Sequence, residues 1–120
     1  MASELRVNTL KDASGNNSIA TSYVAGGSAK AWLDYNQVAN TTDGSFNVSS
    51  VSDDATGRFT YTMTSAMDSA NWSMPYAANA FVGMINGVLS STQGKCRSRD
   101  AAASDTDATQ NCTCNHGDLA

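Results

Sequence analysis

Glutamate, histidine and proline each occur once in these 120 residues, and lysine occurs three times. With so little Glu and Lys, and no sustained heptad, a helical coiled coil is excluded. The single histidine, His116, lies near the end of the sequence, and no G-x-S-x-G elbow is present. Both facts argue against a Ser–His–Asp triad. Gly26-Gly27 lacks the G-x-x-x-x-G-K frame of a phosphate-binding loop. No stretch approaches the roughly 20 apolar residues of a membrane-spanning helix. Met1 to Lys11 shows no basic run followed by an apolar block, so neither membrane insertion nor a secretory leader is expected. Seven basic against eleven acidic side chains argue against a nucleic-acid groove, which needs a basic face. Three cysteines cannot all pair within one chain, so a disulfide framework is not expected.

Large aliphatic side chains are scarce too. Leu, Ile, Val and Phe together number 17. That is about 14% of the chain, below the roughly 20% at which disorder becomes an expectation. Disorder also calls for high net charge, and here it is −4 with 15% charged residues. What fills the sequence instead is Ser, Thr and Asn, 39 in all, together with 18 alanines. This describes one modest domain with a thin core and a polar, weakly charged surface, which gains stability from partner subunits.

The patterning has period two. Leu5 to Leu10, Ile19 to Val24, Ala29 to Tyr35 and Phe46 to Val51 read as short strands, with turn signals between them. The clearest is Arg58 to Thr64, where Phe59, Tyr61 and Met63 alternate with Arg58, Thr60 and Thr62. Asn71 to Tyr76 follows, edged by Pro75. Asn86-Gly87 predicts a tight hairpin between strands Ala78 to Ile85 and Val88 to Thr92. Lys95 to Arg99 and Asn111 to His116 close the set. Asn36 to Gly44, Asp53 to Gly57 and Asp100 to Gln110 read as loops or turns. The expectation is an all-β fold of short antiparallel strands: a β-sandwich-like domain over residues 29–120, and an extended N-terminal arm over residues 1–28 that anchors or intertwines.

Three stretches carry a resemblance: Glu4 to Ser18 (ELRVNTLKDASGNNS), Ala29 to Gln37 (AKAWLDYNQ) and Ser45 to Ser73, which holds a strand, a D-x-x-T-G turn, a second strand and an A-M-x-x-A-N-aromatic segment. The closing HGDLA joins them. In combination they resemble a family of tail-fibre-like virion structural proteins of marine, cyanophage-like bacteriophages. The resemblance implies a non-enzymatic virion protein assembled in the host cytoplasm, without a cofactor. It implies a tail-fibre-like or appendage subunit, homotrimeric, contacting other virion proteins (tail, adaptor or capsid) and serving assembly and host attachment. A capsid head-decoration or head-fibre protein is one alternative. A carbohydrate-binding module recognising a host-surface glycan is another.

Candidate sites follow from residue type and spacing. Trp32 lies opposite Leu33 and Tyr35 on its strand, and Trp72 lies opposite Asn71 and Ser73. Both are candidate contacts for a neighbouring subunit or a glycan. Lys95, Arg97 and Arg99 form a basic stripe on one strand face. Pairing with a neighbouring subunit's aspartates is its expected role, and contact with acidic polysaccharide is the alternative. Cys112, Cys114 and His116 recur at i, i+2 and i+4, with Cys96 on the strand before. Zinc uses such ligands, but on tight knuckles rather than flat strands, so burial on the inward face of the last two strands is expected and no metal is assigned. Asp100, Asp105 and Asp107 lack the EF-hand pattern and read as a solvated loop. Asp53 and Asp54 read as turn formers rather than a hydrolytic carboxylate pair.

Overall fold

The computed structural model describes residues 3–79, 81–87 and 89–120. Among these residues the chain forms ten strands and one short helix. The first strands, β1 (Thr9–Leu10) and β2 (Ile19–Ala20), pair as a small antiparallel hairpin, and α1 (Thr21–Gly27) follows directly. None of the helix residues is buried. The expected strand from Ile19 to Val24 is therefore mostly helix. With one face offered to no partner, nothing imposes a strand's alternation on it.

From Ala31 onward the chain builds two four-stranded antiparallel sheets. Sheet one runs β4 (Thr41–Phe46), β3 (Ala31–Asn36), β10 (Asn111–Asn115), β7 (Tyr76–Ala78). Sheet two runs β5 (Val48–Ala55), β6 (Arg58–Met63), β9 (Gln93–Arg99), β8 (Val82–Ile85). The fold is all-β and sandwich-like, as the period-two pattern predicts. No helix of the described residues is long and apolar enough to cross a membrane.

The inner faces are read off the alternation. Ala31, Leu33 and Tyr35 point inward from β3, and Phe59, Tyr61 and Met63 from β6. Gly94, Cys96 and Ser98 do so from β9, and Asn111, Thr113 and Asn115 from β10. Of the large aliphatic and phenylalanine residues among those described, Leu33 and Phe59 are the ones buried outright, and more than half of the rest are exposed. Tyrosine, methionine and tryptophan fill the volume that aliphatic residues usually take. Tyr35 packs on Phe59 with ring centroids 4.9 Å apart, and Phe59 meets Tyr76 edge-on at 6.1 Å. This aromatic series alternates between the sheets.

Buried polar side chains are paired in two ways, Tyr61 with Asn115 between the sheets and Tyr76 with Asn111 between neighbouring strands of sheet one. The Tyr61 hydroxyl donates to Asn115 Oδ1 at 2.9 Å, and the Tyr76 hydroxyl to Asn111 Oδ1 at 2.6 Å. The Asn111 amide donates in turn to the carbonyls of Tyr35 and Ala108. Burial pushes both tyrosine hydroxyls well above their ordinary pKa, so each remains a neutral donor. Tyr61 sits directly opposite Gly94 in the β6–β9 ladder. A Cβ at position 94 would overlap the Tyr61 ring, so the ring lies over bare backbone.

The sandwich is closed along both sides. On one side the chain crosses from β4 to β5 through Asn47, which takes a left-handed φ of 56°. Its side-chain amide donates to Lys30 O and Ser65 O and its Oδ1 accepts from Ser65 N–H, which fixes the corner. On the other side Tyr76 of β7 lies against Gly83 of β8. A buried Gln37 links the β3–β4 turn to the β5–β6 hairpin, its amide nitrogen donating to Asp53, Ala55 O and Arg58 O.

Further sequence expectations are corrected. The polar stretch Asn36 to Gly44 contains the start of β4: an edge strand with both faces wet needs backbone pairing, not apolar alternation. Asp53 and Asp54 belong to β5, and the turn is the two residues Thr56-Gly57, with Gly57 at φ +67° pressed against Ser98 O and Thr106 N. Asn86-Gly87 does not make a two-residue turn, because Gly87 has positive φ (93°) and Asn86 does not. Asn86 N–H donates to Lys95 O, and β8 pairs with β9 across a longer connection. Of the expected strand Val88 to Thr92, Val88 lies outside the described residues, and 89–92 form no strand.

Gly94→Ala is expected to lower unfolding stability by about 1–3 kcal/mol, because the new methyl must displace the Tyr61 ring in a closed interface. Urea denaturation reads this directly, and an unchanged midpoint would contradict the packing described.

Candidate functional site

Each of the two outer sheet faces carries a distinct cluster. On sheet two, Arg58 of β6 and Arg97 of β9 stand directly opposite one another, and Arg99 follows two residues on. The loop 100–110 returns over them and brings Asp105 down among the three. Arg97 Nε and Nη2 donate to the two oxygens of Asp105 at 2.7 and 3.0 Å, a bidentate pair. Arg99 Nε donates at 3.0 Å, and Arg58 donates through Nε at 2.9 Å, with its Nη2 2.8 Å from the same carboxylate oxygen in the ion pair. Hydrogen bonds from Arg97 first, then from Arg99 and Arg58, hold the Asp105 carboxyl well below the usual carboxylate range.

The loop is secured elsewhere as well. Asp107 accepts from Gly57 N–H at 2.6 Å, and the Ser98 hydroxyl donates to Thr106 O at 2.6 Å. The expected solvated loop is thus fastened to the sheet. Of the basic stripe, Arg97 and Arg99 find an aspartate within their own chain. Alternation alone cannot reveal this, since the partner lies in an irregular segment. The arginine spacing Arg97-x-Arg99 beside a loop rich in Asp was the available signal.

On sheet one, Trp32 of β3 points outward and is 42% exposed. It pairs with Phe46 of β4 on one side and with Cys114 of β10 on the other. Its ring lies over Gly44, where a Cβ would stand 3.1 Å from Cζ3. Asp34, two residues along, accepts from Gln110 Nε2 at 3.2 Å and faces the Cys112 thiol. The outer face of β3 and β4 therefore presents Trp32 and Phe46 as an aromatic ledge with amide and carboxylate groups beside it. Trp72, in contrast, is 8% exposed. Its indole N–H donates to Ser90 O at 2.9 Å inside the chain, so it is core and not a surface contact.

The cysteines divide between the sheets. Cys96 faces inward from β9 and burial raises its thiol pKa far above the ordinary value. Cys112 is exposed and Cys114 half-buried on the outer face of β10, the reverse of the inward placement expected for them. The inward positions of β10 go to Asn111, Thr113 and Asn115, whose side chains fill the gap between the sheets. Because β9 and β10 lie in different sheets, Cys96 does not oppose the other two. Among the described residues no group of three or more His, Cys, Asp or Glu side chains is arranged to hold a metal ion.

A third feature is a groove of about 490 Å³ where the two sheets meet beside the start of β3. Ala29, Lys30, Phe46, Asn47, Thr64 and Leu119 line it. Phe46 and Leu119 are the large apolar side chains among them, and both are exposed. Comparisons with protein-family models, with curated proteins and with solved structures find no match.

The Asp105 cluster sets a pH dependence with a definite sign. A carboxylate whose folded pKa is depressed contributes stability above its unfolded pKa of about 4, and that contribution is lost as pH falls toward the folded value. Asp105→Asn is therefore expected to melt below the parent at neutral pH. The gap between the two melting curves should narrow as pH drops below about 4. A gap that persists unchanged into acid would show that the charge is not the source.

Proposed function

We propose that this chain is a non-enzymatic virion structural protein of a bacteriophage: a short tail-fibre-like or appendage subunit that works as a homo-oligomer, with threefold symmetry. One observation carries the assembly part of this reading. The N-terminal arm displays Leu5, Val7, Leu10, Ile19, Tyr23 and Val24 to solvent, with Leu5 81% and Tyr23 73% exposed. Apolar surface of that extent is offered to a partner rather than to water. The sandwich adds to it, since few large aliphatic side chains are buried there and its stability is correspondingly modest. The elongated shape, 54 Å along its longest axis against 30 and 25 Å, suits a subunit that reaches into its neighbours. The phage assignment itself rests on the sequence resemblance of Glu4 to Ser18, Ala29 to Gln37 and Ser45 to Ser73. Assembly of this kind proceeds by shape-complementary packing and hydroxyl or amide hydrogen bonds, without bond-making chemistry.

A second reading is favoured by the aromatic ledge. Trp32, packed over Gly44 with Phe46, Asp34 and Gln110 nearby, has the form of a surface on which a sugar ring stacks and is hydrogen-bonded at its rim. This fits host-surface recognition by the same subunit.

Sedimentation equilibrium is expected to give a concentration-dependent oligomer with three times the chain mass at saturation. A concentration-independent monomer would overturn the assembly reading. Trp32→Ala is expected to abolish any binding seen on a glycan array while leaving the sedimentation profile intact. Binding unaffected by that change would remove the glycan reading.

A further inference from the structure

The arm and the groove are complementary features of one chain that do not meet within it. We infer that the groove lined by Phe46, Asn47, Thr64 and Leu119 is the seat for the N-terminal arm of a second copy of this chain. The inference rests on the assembly reading above and specifies the surface that does the work.

The groove is apolar at its walls, has room for several aliphatic side chains at about 490 Å³, and lies beside the root of the arm, with Ala29 and Lys30 on its rim. The chain's own arm is held away from it. The Lys30 ammonium binds the carbonyls of Ala25 and Ser28 and the Ser28 hydroxyl, which pins the end of α1 at the rim. With the helix so fixed, the apolar side chains of its own arm remain in solvent.

Charge points to the same occupant. The arm carries Glu4, Arg6, Lys11 and Asp12, two of each sign, and Glu4 and Arg6 pair with each other at 3.0 Å. The chain's net charge of −4 therefore resides on residues 29–120. Two sandwiches pressed together repel one another, whereas a neutral arm laid on an acidic sandwich does not. Asn47 and Ser65 at the groove floor are already engaged with each other and with Lys30 O. The seat is thus pre-organised. Each copy then offers one arm and one groove, a head-to-tail contact that closes into a ring under cyclic symmetry.

The test places a photo-activated benzoylphenylalanine at position 5 of the full chain. Isotopically heavy and light protein are mixed at a dilution where sedimentation shows monomer, concentrated together to the oligomer, irradiated, digested and mapped by mass spectrometry. Heavy–light cross-links from position 5 to peptides containing Phe46 or Leu119 are expected. Phe46→Ser, a change at an exposed side chain that circular dichroism should show to be folded, is expected to cut the heavy–light yield by roughly tenfold, the loss of one buried phenylalanine contact. Heavy–light links that land on another surface would overturn the groove assignment while leaving the assembly reading standing. Links confined to heavy–heavy and light–light pairs in a sedimenting oligomer would likewise overturn it, because the arm would be folding onto its own sandwich. A chain that sediments as a monomer would overturn both.

Discussion

Tyr61 stands on the bare backbone of Gly94 within sheet two and reaches across to Asn115 in sheet one. The spacing of the sheets follows from that contact. A tyrosine is long enough to span most of the roughly 10 Å between packed sheets, and its hydroxyl needs a partner when it arrives. Asn115 supplies the acceptor, and Asn111, two inward positions earlier on the same strand, accepts from Tyr76 within sheet one. A hydroxyl or amide stripped of its partner here would cost about 1–3 kcal/mol, a large share of a small domain's stability. The interior is therefore selective about position. Aliphatic cores tolerate volume-conserving exchanges, whereas a polar linkage between sheets requires one particular acceptor at one particular register.

This polar wiring explains which parts of the fold were legible in the sequence. Strands β3, β6, β9 and β10 were read with nearly their observed limits because each is central, and a central strand alternates between a dry face and a wet one. Strand β4 was hidden in a polar loop because an edge strand has no dry face to reveal it. The faces of β10 were misread for a related reason: Cys112 and Cys114 are apolar by type and Asn111 and Asn115 polar, yet the asparagines are inside. Hydrophobicity by residue type gives the wrong answer where an amide serves as the bridge. Trp72 was misplaced on the surface since its segment is irregular, where alternation has no meaning. The pairing of Arg97 and Arg99 with Asp105 depends on a loop's path, and no local pattern encodes that path. Trp32, by contrast, sits on a regular strand and points outward, as its position opposite Leu33 and Tyr35 requires.

The scarcity of large aliphatic residues acquires a spatial meaning from this arrangement. They are not spread evenly through a thin core. Several are collected on the arm and others line the groove and the ledge, while tyrosine, methionine and tryptophan hold the sandwich itself. The radius of gyration, 17.2 Å, exceeds the about 14 Å of a compact chain of this length. The apolar material that a self-sufficient domain would place inside lies on the surface instead. Asp105 and its three arginines serve the opposite need, closing the loop 100–110 onto sheet two so that this face stays ordered without a partner.

The two ends of the sandwich lie side by side. Ala31, where the chain enters β3, sits opposite Asn115, where it leaves β10, and Lys30 N–H donates to Asn115 O at 2.8 Å. The domain thus hangs from one pole like a pendant. Load applied through the flanking segments would pull β3 and β10 apart from a single end, opening their hydrogen bonds one after another rather than shearing them together. A mechanical tether built on this sandwich would yield at low force.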